Sequence, residues 1–495
     1  MTSALRWLDT RRLATAILFV AVFAMAVRAP ADTDTWWHLQ AGRLTLERGR
    51  ILQTDLFSHT RYGFPWVAQA WLSEVILYWL FNHFSYAGLG LWMGAMVTAA
   101  FVFVYLQMEG DAFTRAFILI LAAATSAVTW VARPHLTSFL LTGVVAYLLY
   151  LFKWQQVNRL WILPPLFVLW VNLHAGYALG FMVLAAFVAG EVLNQLLQGA
   201  LPGDDPTVNW QGIGLVTGVA ILSAVFLVIH PNTTRMWTYY LETVRIEVLQ
   251  DFIQEWQSPD FHPLHTQPFI WLLLATMAAM GLSGRRVDGT DLVLVCGFAY
   301  AGLLAGRNFG PFALVAAPVL SRHATAIESN LWERRKGPRR RATAAQAAVN
   351  WSLLALVVVL AAVKIQQPLQ PAFNEALHRE SLPVGAVEWI EEHEPEGTMF
   401  NHYNWGGYLI WRLWPDYRVF VDGRTDLYGD VFLRQYLETQ LGKSGFEKTL
   451  QEHAVRLIVV PSESTLLTRL ACEGGWKEAY RDDVAAVWVK ESEGP

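Results

Sequence analysis

The sequence predicts a mainly α protein, a polytopic membrane bundle of about eleven transmembrane helices followed by an extracytoplasmic α/β domain. Three observations lead there. Of the 495 residues, 54% are hydrophobic and only 16% are charged, whereas soluble domains carry nearer a quarter charged residues. Long apolar runs recur up to about residue 365. Beyond 366 charged residues become frequent and the apolar runs shorten. A net charge of -4 gives no reason to expect a nucleic-acid partner. Only Cys296 and Cys472 are present, the first inside an apolar run, so a disulfide framework is excluded. The sequence contains no internal repeat, P-loop or Cys/His zinc spacing.

Arg6, Arg11 and Arg12 precede an apolar run at 13–27, which predicts a membrane entry with the N-terminus in the cytoplasm. A cleaved signal peptide is the competing reading; in both, residues from Asp32 to the next span lie outside. The first outer loop, about 28–70, opens with Asp32-Thr33-Asp34-Thr35-Trp36-Trp37-His38-Leu39. Carboxylates and imidazole are proton-transfer groups, and Trp favours the membrane boundary. Asp34 stands at the N-cap of a helix predicted over Thr35–Arg48, with Gly49 as its terminator. Its Trp36, Trp37, Leu39 and Leu44 are expected against lipid or neighbouring helices. Gly63, Pro65 and Trp66 break the chain before an amphipathic piece at 67–82.

Further apolar runs cover 87–106, 116–132, 136–152, 160–173, 176–196, 211–229, 268–283, 290–305, 309–321 and 347–365. Several fall short of the ~20 residues of a straight crossing. With the N-terminus inside, Lys153 and Arg159, Arg285 and Arg286, and the basic stretch 334–341 all fall on the cytoplasmic side, as positive charge should. An odd number of spans then places 366–495 outside. The same topology sorts polar span ends onto the outer face: Asp32, Asp34 and His38, then Arg133 and His135, His174, His230, and Arg307 with Asn308. Headgroup contact accounts for any one of these, but ionisable groups at membrane depth are costly and tend to be functional. At least four of Asp32, Asp34, His38, Arg133, His135, His174 and Arg307 are predicted to line one cavity open to the outer leaflet. The outer loop at 231–267, with Glu255-Trp256-Gln257-Ser258-Pro259, is predicted to roof it.

In 366–495, strands are expected at Thr398–Asn401, 418–422, 456–460 and 484–489, and helices at Gly406–Leu413, 445–453 and 464–472. That alternation describes a small α/β domain. Asn401-His402-Tyr403-Asn404-Trp405-Gly406-Gly407-Tyr408 and Asp422-Gly423-Arg424-Thr425-Asp426 each follow a predicted strand, where ligand-contacting loops emerge. Asn, Asp and Gly are equally at home as plain turn residues.

An acidic motif after the first span, a long first outer loop, ten or more spans and an outer C-terminal domain form a plan that resembles the GT-C superfamily of polyprenyl-phosphate-sugar-dependent glycosyltransferases. The 32–39 motif, with Phe400 to Tyr408 and Val421 to Arg424, looks like a bacterial subgroup of that superfamily. The resemblance implies a GT-C-like transmembrane domain over 1–365 and a soluble extracytoplasmic domain over 366–495. It further implies an inverting sugar transfer from a polyprenyl-phosphate carrier to a glycan, lipid or protein acceptor at the outer face of the cytoplasmic membrane. In the superfamily an acidic residue of the first outer loop is the base; by position that is Asp34 or Asp32, here separated by Thr33.

The residues suit that chemistry. Attack by a hydroxyl on an anomeric carbon needs a carboxylate to take or orient its proton, and departure of a lipid phosphate needs cationic donors. Arg binds phosphate in bidentate fashion, which nominates Arg133 and Arg307, with His38, His135, His174, His230 and Asn308 as further substrate contacts. A free Asp is a weak base, pKa about 3.9, so the carboxylate works by orientation or through a divalent ion, Mg or Mn, held by Asp32, Asp34 and His38. The alternative is a transporter or flippase of a lipid-linked substrate, which calls for ionisable groups near mid-membrane and repeated halves.

Overall fold

The computed structural model describes residues 7–197, 205–332 and 343–491. Arg6 and the basic stretch 334–341 lie outside the described residues. Helix α1 (Thr10–Ala26) starts at Asp9, whose side chain accepts the Arg12 N–H. Helix α2 (Thr35–Arg48) ends on Gly49 at φ 60, a left-handed position open to glycine without strain. The amphipathic piece at 67–82 and the span at 87–106 prove to be one helix, α3 (Trp71–Gln107), broken at Ser85 (φ 52, ψ -144). The bundle continues with α4 (Ala112–Ser126), α5 (His135–Lys153), α6 (Leu163–Leu173), α7 (Tyr177–Leu197) and α8 (Trp210–Val225). Two short helices, α9 (Tyr239–Val244) and α10 (Glu247–Phe252), precede α11 (Gln267–Leu282), α12 (Gly289–Leu304), α13 (Phe309–Trp332) and α14 (Ala344–Leu369).

Each of the apolar runs is largely helical, and among the described residues six helices (α3, α4 extended to Thr129, α5, α7, α8 extended to Val228, and α14) are long and apolar enough to cross a membrane. This is a multi-pass membrane protein. Helix α13 extends well past the expected 309–321. Residues 309–323 are all buried, so its apolar half is covered by protein on every side.

The chain divides into two compact units. One comprises Met1–Arg28, Gly90–Trp237 and Ile253–Gln367. Its helices are tied together by a buried polar group. Lys153 Nζ, at the end of α5, donates to Glu191 of α7 and to Asp288 at the start of α12, both at 2.5 Å. Thr290 and Asn194 hydrogen-bond the same two carboxylates. Arg322 pairs with Asp291 nearby, so each buried charge has an opposite partner.

The other unit comprises Ala29–Leu89, Thr238–Phe252 and Pro368–Pro495. It adds α15 (Pro371–Ser381), α16 (Val384–His393), α17 (Gly406–Leu413), α18 (Thr425–Gln440), α19 (Phe446–Glu452) and α20 (Thr465–Glu473). Strands β1 (Thr398–Asn401), β2 (Val455–Pro461), β3 (Trp476–Arg481) and β4 (Ala485–Lys490) form one sheet of order β1-β2-β4-β3. β1 and β2 run parallel and the other two pairs antiparallel. Phe400, Phe420, Tyr436, Ile458 and Trp488 belong to its core.

The strand expected at 418–422 is not one. Its backbone is satisfied otherwise: Val419 exchanges hydrogen bonds with Phe57 O and His59 N, and Phe420 N–H donates to the Asn401 side chain. Only a single bridge, Ser58 to Val419, results. The three apolar residues that suggested a strand are simply buried on all sides.

Candidate functional site

Two clusters hold the chemistry-bearing residues, one in each unit. In the unit with the sheet, α2 is buried over its first turns, Thr35 through Gly42. Trp36 packs edge-on against Tyr408, His378 and Phe81, and Trp37 against Trp66. These indoles, expected at lipid or neighbouring helices, are enclosed by protein. α2 can lie so close to its neighbours because glycines meet it. A Cβ on Gly407 would sit 2.4 Å from Thr33 O, and one on Gly423 only 1.9 Å from Asp34 Oδ1. The 32–39 motif and both C-terminal motifs are thus one packed assembly.

Asp34 occupies the N-cap position but in αR geometry, and its side chain caps no helical N–H. Its own N–H is instead accepted by Asp32 Oδ1 at 2.9 Å. Both carboxylates are half-buried, and Asp34's abuts the Asp422-Gly423-Arg424 turn. His38 Nδ1 and Glu74 Oε1 share a hydrogen bond at 3.0 Å, both side chains buried. Among the described residues no group of three or more His, Cys, Asp or Glu side chains is placed to hold a metal ion. Asp32, Asp34 and His38 therefore do not assemble into the ligand set that their spacing suggested.

Behind Gly423 the Arg424 guanidinium is locked. It donates to both Asp422 oxygens at 2.8 and 2.7 Å and pairs with Asp55 at 2.7 Å, with all three side chains fully buried. Phe57 and Trp66 pack against it. Tyr428 donates to Asp422, and Ser58 to Asp55. Opposing carboxylates hold the Arg424 guanidinium well above its ordinary range against the pull of burial.

The second cluster gathers Arg133, His135, His174 and Arg307, four of the residues nominated from the sequence, around Glu255. Pro134 starts α5, placing Arg133 just ahead of the helix and His135 in its first turn. Arg133 donates to Glu255 at 2.8 Å, with 17% and 38% of the two side chains exposed. Arg307, in the turn between α12 and α13, approaches Glu255 only to 3.9 Å and lies 3.9 Å over the Trp256 ring. Burial would raise the Glu255 carboxyl, but Arg133, Arg307 and His135 hold it at about 2. His135 donates from Nε2 to Thr129 O at 2.6 Å. His174 Nδ1 accepts Gly176 N–H, and Ser138, whose oxygen already accepts the Trp170 indole N–H, donates to it as well. That leaves the His174 proton on Nε2, a donor.

His230 and Asn308 are held by local hydrogen bonds. His230 Nδ1 accepts Asn232 N–H, and burial pushes the imidazole down to about 4, so it is neutral. Asn308 donates to Ala301 O and closes the end of α12. Glu255 was part of the predicted roof loop, yet nothing in its local sequence marks it as the carboxylate two arginines would share. The same holds for Asp55 and Glu74, whose partners are distant in sequence.

No protein-family model matches the chain, and neither does any protein of curated function. Solved structures do match. The oligosaccharyltransferase of Archaeoglobus fulgidus in its apo form aligns over 92% of this chain and 70% of its own, with TM-score 0.57 and 13% identity. The same enzyme tethered to an acceptor peptide containing the NVT sequon gives TM-score 0.53 at 14% identity, again over 92% and 70%. ArnT from Cupriavidus metallidurans in the apo state aligns over 95% of this chain and 97% of its own, with TM-score 0.50 and 15% identity. At such identities what is shared is the fold, a polytopic helical bundle carrying a C-terminal domain.

Proposed function

We propose, taking as premise the GT-C glycosyltransferase fold that this chain has, that it transfers a sugar from a polyprenyl-phosphate carrier to an acceptor at the outer face of the cytoplasmic membrane. The acceptor hydroxyl attacks the anomeric carbon, the bond from that carbon to the phosphate oxygen breaks, and configuration inverts. Asp34, or Asp32 beside it, orients the hydroxyl and takes its proton as the new bond forms. Arg133 and Arg307 meet the charge left on the departing lipid phosphate, with His174 Nε2–H as a further donor. The N-terminus lies in the cytoplasm, and the acceptor is a glycan, lipid or protein.

One observation carries this reading: the Asp34 carboxylate is half-buried at a helix start yet caps none of that helix's N–H groups. A carboxylate with only a capping role would be turned the other way. The test is turnover of a polyprenyl-phosphate-linked sugar by purified protein. Asp34→Asn keeps the side chain's size but removes its negative charge, and should slow transfer by ~10²–10⁴. Near-normal transfer by the single Asn variants at both 32 and 34 would refute the assignment.

A further inference from the structure

Glu255 is a carboxylate that Arg133 and Arg307 share. Among the described residues, Arg133 alone hydrogen-bonds it, and Arg307 stays beyond hydrogen-bonding distance. It sits on the short turn Gln254–Trp256, where Trp256 N–H donates to Ile253 O, Gln257 N–H to Gln254 O, and Gly306 N–H to Gln257 O at 3.3 Å. With 38% of its side chain exposed, an incoming anion can reach the pair from solvent. The fully buried Arg424, by contrast, is closed in by two carboxylates and two rings.

A carboxylate and a phosphate present a guanidinium with the same pair of anionic oxygens. We infer that Glu255 is an internal stand-in for the donor's phosphate, holding Arg133 extended in the resting protein and giving up its place when the lipid phosphate arrives. Arg307 is kept in position by Trp256, with its donors directed to no carboxylate oxygen at bonding distance. The arriving phosphate would then engage both guanidiniums while the Gln254–Trp256 turn moves aside. The inference rests on the reading of Arg133 and Arg307 as the phosphate site. It adds that the site is guarded by a charge that competes with the substrate, so that donor affinity is lowered by the fraction of protein in which Glu255 is seated.

The test is equilibrium binding of sugar-free polyprenyl phosphate to the purified full-length protein at fixed ionic strength, for wild type, Glu255→Gln, Glu255→Ala, Arg133→Ala and Arg133→Ala with Glu255→Gln. Loss of a competing, partly exposed ion pair should tighten binding roughly 2–5-fold in both Glu255 variants. Arg133→Ala should weaken it, and Glu255→Gln should then add nothing. If Glu255→Gln and Glu255→Ala weaken binding or leave it unchanged while Arg133→Ala weakens it, Glu255 is a support and the inference fails, but the phosphate site stands. If Arg133→Ala leaves binding unaltered, the phosphate site and the inference fall together. A protein-wide folding defect would show in thermal unfolding, and disagreement between the Gln and Ala variants would count against charge competition.

Discussion

Arg424 and Arg133 are both arginines facing carboxylates, and they sit in opposite kinds of surroundings. Arg424 has no exposed side-chain surface, two aspartates at 2.7 Å and two aromatic rings packed against it. Arg133 is partly open, and the carboxylate it holds is more open still. In the low-dielectric interior a charge that loses its partner is stranded, whereas a pair in contact with water can be exchanged at little cost. The closed network belongs to architecture: it fixes the turn against which Asp34 is set. The open one is the proposed phosphate site.

Substitutions can break that comparison. The largest effect is expected at Arg424→Ala, which would strand Asp55 and Asp422 and cost about 3–5 kcal/mol of stability. Arg133→Ala should cost no more than about 1 kcal/mol. Thermal unfolding of both variants decides it, and equal losses would erase the distinction. Next comes Gly423→Ala, whose methyl group would overlap Asp34 Oδ1. The Asp34 carboxylate must shift, with a stability loss of about 1–3 kcal/mol and a fall in transfer. Gly218→Ala, where a Cβ would meet nothing within 4 Å in the middle of α8, should instead be neutral or slightly stabilising.

The smallest effect sharpens the open side. Glu255 has its folded-state value depressed to about 2, below the ordinary Glu value of about 4.3. Its contribution to stability is therefore fully present above about pH 4.3 and is lost as pH falls through about 2. The stability difference between wild type and Glu255→Gln should stay flat, within ~1 kcal/mol, from pH 5 to 8 and disappear only in stronger acid. Chemical unfolding across that range measures it, and a slope near neutrality would contradict the ion pair.

Much of the fold was legible because its signals are local. Apolar length marks a spanning helix, and the start and stop of α2 were readable from Asp34 and Gly49. β1 and α17 were found at their full extents. β3 escaped because Trp476-Lys477-Glu478-Ala479-Tyr480-Arg481 is an edge strand with no buried residue, leaving no alternation to detect. α18 begins within what read as a loop motif and contains Gly429 at φ 72, which disguises its periodicity. Of the residues nominated from the sequence, Arg133, His135, His174 and Arg307 lie near one another, as ends of neighbouring apolar runs can. Asp55, Glu74 and Glu255 were not among those nominated, since an ion pair leaves no trace in the sequence around either member.

The buried group formed by Lys153, Glu191 and Asp288 bears on how the protein is made. Its members emerge from the ribosome far apart: Glu191 follows Lys153 by 38 residues, and Asp288 follows by 135. Helix α5 thus ends in an ammonium that has no carboxylate to meet until α7 arrives, and the group is completed only with the start of α12. A buried charge without its partners is costly, so until α12 follows, the helices before it hold an incomplete polar group. A chain stopped before α12 would carry that defect permanently.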